Sequence, residues 1–224
     1  MKTTTPTAAE LEDHRMWELV DAIPHDGLHA WVRRYLFAPT WIVAAYWGVN
    51  AAALLVVYIV WRSSDTSMLE AFPTICLGMV MGYVLLLPIH EIVHAGAYRL
   101  VGASNVRIRY DLRRTTALCI APGEVLSGTR FLLVCLAPAL LINPILAVVT
   151  AIAPVGTVAL GVSGALLLHI GACSGDIAFV NYLWLHRGRQ LYTLDDATRP
   201  RTAFYRMKPS VHEPPQPEPA NNGM

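Results

Sequence analysis

Four apolar runs in a chain of 224 residues limit the choice of fold more than any other feature. They cover residues 41–61, 72–98, 131–153 and 155–186. A helix rises 1.5 Å per residue and a bilayer core is about 30 Å thick, so roughly 20 apolar residues cross it. The first and third runs contain no Asp, Glu, Lys, Arg or His. A single soluble core has no room to bury four such helices, and with 54% hydrophobic and only 15% charged residues the chain lacks the polar surface to cover them. The expected fold is an all-α polytopic membrane protein with about four transmembrane helices. Residues 1–40 form an N-terminal segment, 41–187 the membrane domain, 188–207 a short extension and 208–224 a proline-rich tail expected to be disordered.

Basic residues divide by connection. Of the 17 lysines and arginines, all but Arg62 lie before span one, between spans two and three, or after span four. With four spans, these segments share one side, which the positive-inside rule makes cytoplasmic. Both termini are then cytoplasmic, and a bacterial inner membrane is the expected location. No cleavable signal precedes the first span. The net charge of +1 gives no case for nucleic acid. The four cysteines are scattered singly, which excludes a disulfide framework and a CxxC site.

Two connections carry other signals. Leu11, Trp17, Leu19, Leu28, Trp31 and Tyr35 mix with charges across 10–38, as in an interfacial helix or a partly ordered lead-in. Val106, Ile108 and Tyr110 alternate with Arg107 and Arg109 before a second β-prone run at 115–120, a hairpin pattern across 105–120. The stretch after span four could add one or two short strands.

The second span contains "HEIVH" at 90–94. Ionisable groups at membrane depth are costly, so they point to function by default. On a helix, positions i and i+4 share a face, so His90 and His94 can hold one ion, with Glu91 beside them as general base. The bland alternative is a pair of histidines bonded between helices. A zinc site needs a third protein ligand and an open position. Span four offers His169, Cys173 and Asp176 on one face. Measured from the cytoplasmic boundaries at Arg99 and Arg187, the histidines lie about 14 and 8 Å deep and Asp176 about 16 Å. Cys173, about 20 Å deep, fits less well, and His169, about 27 Å deep, falls near the far side. Asn143, in a third span interrupted by Pro138 and Pro144, is either a helix–helix hydrogen bond or a donor to a tetrahedral intermediate.

HEIVH, followed by Ser174-Gly175-Asp176 on a later span, resembles the putative zincin peptidase family of small bacterial membrane proteins and, more distantly, the site-2 protease class. In site-2 proteases the aspartate sits in Asn-Pro-Asp-Gly; here Ile177 follows it and no proline precedes it. The resemblance, over roughly residues 70–205, implies His90, His94 and Asp176 as Zn²⁺ ligands and Glu91 as base. The expected activity is hydrolysis of a peptide bond in a membrane protein or peptide substrate. The competing expectation is a non-catalytic metal-binding membrane protein with a binding, scaffold or transport role. Two histidines and a carboxylate also suit Fe(II) or Mn(II).

Overall fold

The computed structural model describes residues 5–111, 116–196 and 198–208. The hairpin turn and the proline-rich tail expected from the sequence lie outside them. After a one-turn helix α1 (Ala8–Leu11) come β1 (Trp17–Pro24), α2 (Leu28–Leu36), α3 (Trp41–Arg62) and α4 (Met68–Leu100). The hairpin β2 (Arg107–Asp111) and β3 (Thr116–Ile120) and the short β4 (Val125–Ser127) follow. The chain continues with α5 (Gly128–Ile152), α6 (Thr157–Ala172), α7 (Ser174–Leu185), β5 (Leu191–Asp195) and β6 (Arg201–Met207).

Four helical stretches, α3, α4, α5 and α6–α7 together, are long and apolar enough to cross a membrane. Each starts on a local signal or turn. Thr40 Oγ1 accepts the Val43 N–H at 3.3 Å, Ser67 and Glu70 form a capping box, Ser127 caps α5, and Gly156 enters α6 at φ +122°. Their outer faces leave Leu54, Leu55, Leu77, Val84, Leu140 and Val148 more than half exposed. Exposed apolar surface of that extent marks contact with other protein or with a membrane.

Small residues set how these helices meet. A Cβ on Gly78 would overlap the Gly161 carbonyl, and one on Gly164 would lie 2.6 Å from the Ile75 carbonyl oxygen. Four residues beyond Gly78, Gly82 faces Ala165 in the same register, so α4 and α6 run parallel and nearly touch. Span four is broken at Cys173, where Tyr46 Oη donates to the Gly171 carbonyl at 3.1 Å. Neighbouring helices satisfy the backbone at such breaks. Asn181, fully buried on α7, accepts from Thr40 Oγ1 at 2.6 Å and donates to the Tyr35 carbonyl at 2.7 Å, fixing the α2–α3 corner against α7.

The expectation of an all-α fold with one hairpin needs correction. The hairpin forms, with Arg107 opposite Ile120 and Asp111 opposite Thr116. A separate antiparallel sheet, ordered β1–β6–β5–β4, joins both ends of the chain. Residues 17–24, read as part of an interfacial helix or a partly ordered lead-in, are one of its two edge strands, paired from Trp17–Met207 to Pro24–Arg201 with an irregularity between Leu19 and Asp21. Trp17 and Ile23 are buried from this strand, and across 10–38 helix is confined to the end of α1 and to α2. The sheet joins the helices through Phe204, fully buried among Phe131, Phe179 and Tyr182.

Candidate metal centre

His90 and His94 lie one turn apart on α4, just past Pro88, and both are buried. Asp176 sits in the first turn of α7, where the helix N-terminus favours a carboxylate. The break at Cys173 places that turn opposite the histidines. His90 Nε2 lies 3.2 Å from Asp176 Oδ2, and His94 Nε2 lies 3.2 Å from Asp176 Oδ1. The two Nε2 atoms are 3.0 Å apart. The three side chains named from the sequence as metal ligands therefore meet at one point.

The donor set fits a cation. His94 Nδ1 lies 3.0 Å from the Val134 carbonyl, which can only accept, so the ring proton is on Nδ1 and Nε2 presents a lone pair. That lone pair faces carboxylate oxygens and a second imidazole nitrogen. Such a cluster of acceptors is repulsive unless a proton or metal ion lies among them. Ligands held about 2.0–2.1 Å from a tetrahedral zinc are roughly 3.3 Å apart, close to the separations seen here. Glu91 is 4% exposed, and its Oε2 has no hydrogen-bond partner. An orphaned carboxylate oxygen is expensive to bury unless it serves a ligand or reactant. The backbone N–H of Cys119 on β3 faces the same carboxylate.

All four residues line a cavity of about 1180 Å³. Its wall includes Ala117 and Leu118 from β3, and α2 covers it with Leu28, His29 and Val32. Burial lowers the pKa of His25 at this rim, and burial raises the Cys119 thiol to about 12, so Cys119 stays protonated at neutral pH.

One residue does not sit where the sequence placed it. His169, read as near the far side, is 2% exposed and its Nε2 lies 3.2 Å from His90 Nδ1. The depth argument aligned Arg99 with Arg187. The contact of Gly78 with Gly161 moves span four about five residues, ~8 Å, further along α4. That register brings His169 to the histidines and was the signal that could have found it. Asn143, read as either a helix–helix hydrogen bond or a donor to an intermediate, has Oδ1 2.6 Å from His169 Nδ1, a bond between α5 and α6. It lines a second cavity, of about 1190 Å³, between α3 and α5. His90, His169 and Cys173 form another group close enough to share an ion.

No curated protein and no solved structure matches the chain. Residues 83–190, just under half of it, match the family model described as putative zincin peptidase. The family name implies a metal-dependent peptidase with zinc as the expected ion. That match spans Glu91, the three convergent side chains and the two residues behind His90, so the segment that builds this centre is similar to the putative zincin peptidase family.

Proposed function

We propose that the protein is an intramembrane zinc metalloprotease of the site-2 protease type, with its active site open to the cytoplasmic side. The observation that carries this reading is the convergence of two buried histidines and the partly buried Asp176 beside a buried Glu91 with an unpartnered Oε2. His90, His94 and Asp176 would hold the ion. When bound, zinc would supply Lewis-acid polarisation of the scissile carbonyl and activation of water.

The chain's own residues account for the rest. Glu91 takes the proton of the attacking water and passes it to the leaving amine. Its burial keeps competing hydrogen bonds away from Oε2. A helical peptide bond is hidden, so the substrate must be extended when it is cut. β3 lines the cavity and pairs only with β2 among the described residues, leaving its other edge to receive an extended segment by strand addition. The apolar girdle supports residence in the bilayer, and the arginine distribution supports cytoplasmic termini.

Glu91→Gln tests the role of the base. Cleavage of a quenched fluorescent peptide with an apolar centre, assayed in detergent, should fall by about 10²–10⁴-fold. Zinc content and thermal stability should stay at wild-type values. Equal cleavage by both proteins would exclude Glu91 as the base, and no cleavage by folded, zinc-loaded wild type would favour a metal-binding protein without catalysis.

A further inference from the structure

One of the two ligand histidines is oriented by a backbone carbonyl and the other by a chain of side chains. His94 donates from Nδ1 to Val134 O, part of α5's own backbone. His90 Nδ1 meets His169 Nε2 at 3.2 Å, and His169 Nδ1 meets Asn143 Oδ1 at 2.6 Å. Each link sets the next. An amide oxygen can only accept, so His169 carries its proton on Nδ1 and leaves Nε2 bare. That bare nitrogen accepts the proton of His90 Nδ1, and His90 Nε2 then offers its lone pair to the point where His94 and Asp176 converge. With Asn143 turned over, its NH₂ would donate to His169 Nδ1. Every proton in the chain would move to the opposite nitrogen, and His90 would point an N–H at the ion's position. The relay therefore has two polarities, and one of them is competent to bind metal.

We propose that His169 and Asn143 are positioning residues that hold His90 in its metal-binding tautomer. This rests on the zinc reading above. Groups that accept a ligand histidine's second N–H typically change metal affinity 10–100-fold when removed. His169 is buried inside the helix contact and lines the cavity that His90, His94 and Asp176 also line, so the relay reaches the site without passing through solvent.

The test is zinc affinity of the full chain in detergent, measured by competition with a chromophoric chelator, with visible spectra of the cobalt-substituted protein. His169→Phe keeps a ring but removes the acceptor, and should weaken zinc about 10–100-fold. His169→Gln puts an amide oxygen near the Nε2 position and should recover most of that loss. Asn143→Leu should weaken zinc in the same direction and supports the relay if His169→Phe fails to fold. Cobalt spectra of His169→Phe should lose the wild-type tetrahedral band shape, and His169→Gln should regain it. Wild-type affinity in both His169→Phe and Asn143→Leu would overturn the relay while leaving the zinc reading intact. Equal losses in His169→Phe and His169→Gln would reduce His169 to a packing residue. Two zinc ions per wild-type chain, falling to one in both His169→Phe and Cys173→Ser, would replace the relay with a second metal site. No zinc in folded wild type would overturn the relay and the zinc reading together.

Discussion

The junction of α4 with α6–α7 and the four-stranded sheet solve opposite problems. At the junction, polar groups are forced together in apolar surroundings, and glycines remove the space between helices. In the sheet, strands from both ends of the chain are stitched together over aromatic side chains, Trp17 against Tyr192 and Phe204 against Tyr182. The junction tolerates almost no change in shape but carries the chemistry. The sheet carries none of the candidate ligands and packs against the helices through Phe204. Stability and metal binding should therefore separate by region.

The largest effect is expected where the helices touch. Gly78→Val drives a side chain into the Gly161 backbone, which cannot yield. The loss should exceed about 4 kcal/mol, the far tail for single substitutions, and should show as failure to recover folded protein in detergent. Gly48, with open space around its Cβ position, is the control: Gly48→Ala should fold normally.

Phe204→Ala probes the other region. Removing a fully buried ring should cost about 3–5 kcal/mol and lower the unfolding temperature. Zinc affinity of the protein that remains folded should be unchanged. A parallel loss of zinc affinity would show that the sheet and the metal centre form one cooperative unit.

A smaller effect concerns pH. His25, half-buried where the sheet meets the cavity rim, has its pKa lowered chiefly by burial, with Asp195 opposing and Arg109 adding to the shift. The folded chain then resists protonation that the unfolded chain accepts. This contribution is fully present above the ordinary histidine range, begins to be lost as pH falls below about 6.5, and is gone once pH has passed the lower folded value. His25→Gln should therefore flatten the fall in unfolding temperature between neutral and mildly acidic pH, relative to wild type.

The two regions also differ in how far the sequence exposes them. His90, Glu91, His94 and Asp176 stand out because ionisable groups in apolar runs are costly and few, and helical spacing assigns their faces. The β2–β3 hairpin shows through local alternation. β1 does not: its pairing with β6 joins residues about 190 apart in sequence, and Trp17, Leu19 and Ile23 suit a strand as well as an amphipathic helix. His169 was misplaced for a different reason. Depth counted from flanking arginines assumes level helices, whereas the contact of Gly78 and Gly82 with α6 sets the true register.

Metal content is the most direct measurement of the central claim, taken on wild type and Asp176→Ala purified side by side in detergent. The account predicts about one zinc per wild-type chain and a clear loss in the variant, with both proteins folded. Folded wild type that holds no zinc even after zinc is added, or a variant that holds as much as wild type, would contradict it.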